Sequence, residues 1–159
     1  MHPIARFSVL RLLLEGEMDG LRAIAKTFWI GGLWVIGLIV APVLFKSLDA
    51  VTAGMVAGRL FSAIAWVGLV CGVFLLVDQV WRNGVAGLKQ GGFWLIVGML
   101  ACTLINQFGV APIIVTLKQQ MNHAAEGLFG GGFATWHAIS SLIYLVQSLL
   151  GLFYLWRGE

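Results

Sequence analysis

The chain has 159 residues, 60% of them hydrophobic and only 11% charged, with a mean hydropathy of +0.94. A soluble domain carries about 25% charged residues, so this composition excludes a water-soluble globule and points to an integral membrane protein of one domain. The net charge of +3 is small, and no patch interleaves basic with aromatic residues, so it reflects the orientation of loops across a bilayer and not nucleic-acid binding.

Residues 1–20 read as an N-terminal cytoplasmic or interfacial segment. Ile4, Phe7, Leu10 and Leu14 recur at helical spacing, with Arg6 on another face and Arg11 near the apolar one. That pattern suits a short helix lying on the membrane surface; a loosely ordered tail is the alternative. The run Glu15-Gly16-Glu17-Met18-Asp19-Gly20 interrupts it, and Asp19 offers an N-cap for the first spanning helix. A cleavable signal is not expected, because the apolar run is short and acidic residues come directly after it.

A four-helix transmembrane domain is expected over 21–156, with spans at about 21–45, 59–81, 93–117 and 134–156 and a tail at 157–159. The fold class is therefore all-α: an integral membrane four-helix bundle of two helical hairpins, preceded by the short interfacial helix. In the first span Gly37 and Ala41 form a small-xxx-small pair that permits close helix contact, and in the second Ala65, Gly68 and Gly72 make a small-residue stripe. A short glycine-rich turn at 82–92 leads to the third span. This is a run of 25 residues without a charge, enough at ~1.5 Å per residue to cross a ~30 Å hydrocarbon layer. Gly98, Cys102, Asn106 and Gly109 share one of its faces, the kind that packs on another helix. A longer loop at 118–132 precedes the fourth span, which carries His137, Ser140, Ser141, Tyr144, Gln147, Ser148 and Gly151.

Pro42 and Pro112 each close a Val-Ala-Pro triplet, 70 residues apart, near the outer end of an outward-running helix. Each proline frees a carbonyl four residues earlier, at Leu38 and at Phe108, and both helices should bend there. The duplication fits two hairpins of the same orientation, related by an axis along the membrane normal. Trp29, Trp81, Trp94 and Trp156 mark one end of each helix and should form a belt at one membrane face, with Trp136 at the other. That first face holds Arg6, Arg11, Arg22, Lys26, Arg82, Lys89 and Arg157, against Lys46, Arg59 and Lys118 opposite. Seven against three places both termini in the cytoplasm of an inner membrane. Cys71 and Cys102 read as small packing residues at mid-depth.

Three polar groups could carry chemistry. Asn106, Gln107 and Gln147 lie at mid-depth, where an amide needs a partner within the protein. Asn106 with Gln147 is the expected pair, unless the amides line a ligand or water path. His137, Ser141, Tyr144 and Ser148 form a stripe with no acid on the same helix to orient the histidine. A catalytic triad is therefore disfavoured, and His137 is either an interfacial hydrogen-bonding residue or an axial ligand to haem or another metal. At the outer rim Lys46, Asp49, Arg59, Lys118, His123, Glu126 and His137 either face water and headgroups or hold an anionic group. Arg59 is expected at a helix N-terminus. Asp78 should pair with Arg82 one turn on.

The segments Trp29-Ile30-Gly31-Gly32-Leu33-Trp34, Val40-Ala41-Pro42-Val43-Leu44-Phe45 and Ala53-Gly54 to Gly58-Arg59-Leu60-Phe61, with Trp136-His137-Ala138-Ile139-Ser140-Ser141, resemble the small bacterial membrane family called domain of unknown function 4149. Its eukaryotic relatives are called transmembrane protein 205. The likeness covers about residues 21–156. It implies a four-helix membrane bundle and no agreed activity. More distantly the pattern is similar to copper-resistance protein D and to the four-helix porphyrinogen oxidases, whose haem or porphyrin sites would fall here on His137 and Arg59.

The expected function is a non-enzymatic bundle that binds a hydrophobic or amphiphilic partner from the outer leaflet, either a small molecule or another membrane protein. Arg59, Asn106, Gln107, His137, Tyr144 and Gln147 are the candidate ligand-binding residues. A haem- or porphyrin-linked oxidoreductase and a transporter of metal or small solutes are the alternatives, with His137 the one metal candidate. Self-association into a homo-oligomer stays open.

Overall fold

In the computed structural model, residues 3–123 and 131–158 are described, except the side chains of 3–14, 118–123, 131, 133 and 134. Four rods result. Helix α1 runs over 3–47, α2 over Ala50–Asn83, α3 over 91–123 and α4 over Gly131–Arg157. No strand occurs among the described residues, and each rod contains a stretch long and apolar enough to cross a membrane.

The connection between α1 and α2 is only Leu48 and Asp49, both extended. Asp49 caps α2: its Oδ1 accepts the backbone N–H of Val51 at 3.1 Å and of Thr52 at 3.0 Å. Hydrogen bonds from Thr52, side chain first and backbone second, hold this carboxyl below the usual range. The cap starts the helix at Ala50, nine residues before the apolar pattern does, and Ala53 and Ala57 are buried. Arg59 therefore sits in the third turn of α2 and not at its N-terminus, the place that hydropathy alone assigns to it.

Nor is α1 interrupted at Gly16 or Gly20. A helix-interior glycine costs only about 1 kcal/mol. Asp19, expected as a cap, instead pairs from inside the helix with Arg22, one turn on. At the far end of α2, Gly84 adopts φ +54°, a region that favours glycine, and turns the chain into a 3-10 segment, Gly84–Lys89.

Among the described residues three π turns interrupt the α geometry: Thr27–Gly31 and Ile36–Val40 in α1, and Ile105–Val110 in α3. The second and third end directly before Ala41-Pro42 and Ala111-Pro112. Proline cannot donate to the carbonyl four residues back, and the π register moves acceptors to the next N–H along. Each proline is thus matched by a local loosening of the ladder, at the same place in both copies of the triplet.

The helices pack in chain order, and α4 returns to α1. The interior is built from Trp29, Ile30 and Leu33 of α1, Ile64 and Leu75 of α2, Ile96, Met99 and Leu100 of α3, and Tyr154 of α4. Trp29 overturns part of the expected belt. Trp81, Trp94 and Trp156 are exposed, but Trp29 is 1% exposed and lies against α2, where Gly68 and Gly72 leave room for its ring. A Cβ on Gly72 would stand 2.8 Å from its Cη2. An indole that fills a groove of small residues gains van der Waals contact, which is what holds helices together where lipid is as apolar as protein.

Candidate functional site

Polar side chains gather at two depths. The first is the middle of the bundle, where α3 reaches both neighbours from consecutive residues in its π turn. The Asn106 amide takes the Ser140 hydroxyl of α4, which donates to Oδ1 at 2.7 Å, and its Nδ2 lies 3.4 Å from the Ser140 carbonyl. Gln107 turns to α2 and donates from Nε2 to Ser62 Oγ at 2.8 Å. One turn earlier, Gln147 of α4 donates to Thr103 Oγ1 at 2.9 Å, and Thr103 donates onward to the Met99 carbonyl at 3.0 Å. Tyr144 crosses to α1, where its hydroxyl donates to the Leu33 carbonyl at 2.6 Å, and its ring meets Phe61 edge-on at 5.0 Å. Gly37 makes this crossing possible, since a Cβ there would lie 2.7 Å from the Tyr144 ring.

Asn106 and Gln147 are therefore not partners, although both bond across the α3–α4 contact. Each finds a hydroxyl instead, because rotation about the helix axis, and not depth alone, decides what an amide meets. The expected interior face is confirmed for Gly98, which abuts Leu150, and for Asn106; Gly109 has open space beside it. Two hydroxyls of the α4 stripe turn back onto their own helix: Ser141 to the His137 carbonyl and Ser148 to the Tyr144 carbonyl, both at 2.9 Å. Both are thus spent on backbone and not on a base.

Replacing Asn106 by Leu should cost on the order of 1 kcal/mol, since Ser140 can bond back to its own helix. Unfolding in mixed micelles measures it. A loss several times larger would mean that the amide does more than join α3 to α4.

The second depth is the end of the bundle where α2 meets the 3-10 turn. Asp78, 7% exposed, accepts from Arg22 through two bonds, Nε to Oδ2 at 2.6 Å and Nη2 to Oδ1 at 3.0 Å. Arg82, the expected partner, also donates from Nε to Oδ2 at 3.0 Å. The positive-inside count treats Arg22 only as a loop charge and misses this role. The signal available in the sequence is Asp78 itself: a carboxylate within an apolar helix is costly to leave half-matched, and a second cation has to come from a neighbouring helix. Beside this cluster, Gln79 Nε2 donates to Gln90 Oε1 at 2.9 Å and Asn83 Nδ2 to the same oxygen at 3.4 Å, tying the turn to α2.

Of the six candidate residues, Asn106, Gln107, Tyr144 and Gln147 are thus brought into one tier that joins all four helices. Arg59 and His137 lie exposed on α2 and α4. Glu126 falls outside the described residues, as do the side chains of Lys118 and His123. Among the described residues no group of three His, Cys, Asp or Glu side chains is placed to hold a metal ion. Cys71 and Cys102 are free thiols.

Comparison with known proteins gives the chain a family. The family model described as Domain of unknown function (DUF4149) matches residues 24–123. The chain belongs to the DUF4149 family. No curated protein and no solved structure matches it. The matched region of this DUF4149 protein contains Ser62, Asp78, Arg82, Thr103, Asn106 and Gln107. It ends before α4, and it begins after Arg22. Half of each interhelical pair in the α3–α4 tier, and the bidentate partner of Asp78, therefore lie outside it.

Proposed function

We propose that this DUF4149 protein is an inner-membrane bundle with both termini in the cytoplasm, and that it acts by binding and not by catalysis. Its partner is a hydrophobic or amphiphilic molecule of the bilayer, or another membrane protein, taken up on the lipid-facing surface. The observation that supports this reading is the pairing of the central tier. Asn106, Gln107, Tyr144 and Gln147 each make a hydrogen bond to a neighbouring helix, which fixes register and rotation. The outward surface is apolar along its length, with Phe28, Leu38, Val70, Leu104 and Leu142 exposed. The shift of Arg59 away from a helix start weakens the case for an anion site at the outer rim.

Mass spectrometry of lipids and cofactors that stay with the purified protein tests the proposal. One chemical class should be retained above the level held by an unrelated four-helix protein of the same size. Equal retention would sink it, and a Soret band lost in His137→Ala would favour a haem-linked protein instead. For the topology, a periplasm-active reporter fused to the C-terminus should be silent.

A further inference from the structure

Helix α3 is held differently on the two sides of its π turn. Before the turn Ile96, Met99 and Thr103 are buried, and Leu100 reaches Gly72 of α2. Within the turn Gln107 Nε2 donates to Ser62 Oγ at 2.8 Å, and the Phe108 ring meets Trp66 of α2 edge-on at 6.0 Å. Beyond these two, over 109–117, no hydrogen bond or ring contact joins α3 to α1 or α2 among the described residues. Val110, 4% exposed, is the last buried side chain, and from Ala111 to Leu117 each is half-buried or exposed. The arm formed by 111–123 packs chiefly on α4, with Leu117 3.5 Å from the place a Cβ on Gly132 would take. The backbone ladder is weakened at the same point. The Ala111 N–H donates to the Asn106 carbonyl, five residues back. The next N–H along would belong to Pro112, which has none, so the Gln107 carbonyl is left without a donor four or five residues on. A firmly held half and a lightly held half of α3 therefore meet where a rung is missing.

The copy of this turn in α1 is built the same way but is clamped. There the Ala41 N–H donates to the Ile36 carbonyl, so Gly37 stands where Gln107 stands in α3. Residues 41–47, however, pack on α2, whose Ala53 and Ala57 are buried. Leu48 and Asp49 alone connect the two, and Asp49 is fixed as the cap of α2. A connection that short lets 41–47 move only together with α2.

We infer that 111–123 is a hinged arm that tilts about the π turn of α3, and that the tilt parts α3 from α2 at Ser62 and Gln107 and opens the central tier to molecules of the bilayer. The inference rests on the reading of the chain as a binding bundle, and it names the way in. A hinge of this kind needs only a few backbone dihedrals to change. Val115 lies about 15 Å beyond Ile105 along the helix, so a tilt of about 20° moves it by about 5 Å.

The full-length protein, with Cys71→Ala and Cys102→Ala to clear the background, is spin-labelled in nanodiscs, and distances between labels are read by electron paramagnetic resonance. The pair Met55→Cys and Val115→Cys, both at exposed positions, should show two distance populations about 5 Å apart. The pair Val70→Cys and Ala101→Cys, in the firmly held half, should show one. Pro112→Ala returns a donor to α3 and should abolish the longer Met55–Val115 population, whereas Pro42→Ala should leave it unchanged. Ser62→Ala removes a bond to α2 and should raise that population about threefold, the effect of one interhelical hydrogen bond of ordinary strength. Nothing lies within 4 Å of the position a Cβ would take on Gly109, so Gly109→Ala keeps the test sharp should Pro112→Ala disturb the fold, and it should lower the same population. A single narrow Met55–Val115 distance overturns the hinge. So does a second population that neither Pro112→Ala nor Gly109→Ala reduces, and so does equal breadth at both pairs, since the whole bundle would then breathe. These results leave the binding reading to the retention measurement. Two populations that respond to Pro112→Ala, with retention no greater than that of an unrelated bundle, keep the hinge and remove the binding reading.

Discussion

Asp78→Asn should destabilise the bundle by about 3 kcal/mol, the largest loss expected from any single polar substitution in the chain. The substitution keeps the volume and removes the charge that two guanidinium groups share. Arg22 then stays in place with a side chain only 14% exposed and no carboxylate on α2 to meet it. Breaking a buried pair from one side costs more than the pair is worth, because the remaining charge keeps only a partner in solvent, here the exposed Asp19. Asp19 sets the scale for the alternative. It also pairs with Arg22, but its side chain is 72% exposed, so Asp19→Asn should cost no more than ~1 kcal/mol. Unfolding curves in mixed micelles for Asp78→Asn, Arg22→Gln and the double variant give the coupling directly. A double variant that is no more damaged than Asp78→Asn alone is expected, since Arg22→Gln removes the stranded charge. Equal, small losses at Asp19 and Asp78 would refute the picture of a buried ionic lock between α1 and α2.

How much of this bundle is legible in the sequence depends on the periodicity of each signal. The four spans can be read because about 20 apolar residues in a row rarely do anything but cross a bilayer, and the small-residue stripe at Gly68 and Gly72 marks a close approach. The duplicated Val-Ala-Pro triplet announces irregular backbone, and a π turn stands before each copy of Ala-Pro. Asn106, Gln107 and Gln147 can be placed at mid-depth and inside. Their partners cannot be, because each residue turns the face by about 100° and a π turn alters that phase. Gln147 meets Thr103 and not Asn106, three residues farther along α3. The start of α2 is hidden for a different reason. Hydropathy marks the apolar part of a helix, while Asp49 and the alanines after it extend the helix beyond that part. Trp29 is hidden by ambiguity of type: one indole suits an interface and a core equally well, and only the glycines opposite, on another helix, decide between them.

Those glycines carry the second large effect. Gly68→Val should cost about 3 kcal/mol, at the upper end of what overpacking a core does. A Cβ on Gly68 would fall on the Trp29 indole, 3.1 Å from Cε2 and closer still to its neighbours Cδ1 and Nε1. The ring has little room to swing away, since it is 1% exposed and its far edge already lies over Gly72 in the same groove. The same helix supplies the control. Nothing lies within 4 Å of the position a Cβ would take on Gly58, so Gly58→Ala should be neutral or should stabilise α2 by up to ~1 kcal/mol through helix propensity alone. Pairing Gly68→Ala with Trp29→Phe should recover part of the loss seen in Gly68→Ala alone, because a smaller ring vacates the space the new methyl needs. If Gly68 behaves like Gly58, or if Trp29→Phe makes Gly68→Ala worse, the indole does not lie in the α2 groove. The order of packing around α1 would then have to be redrawn.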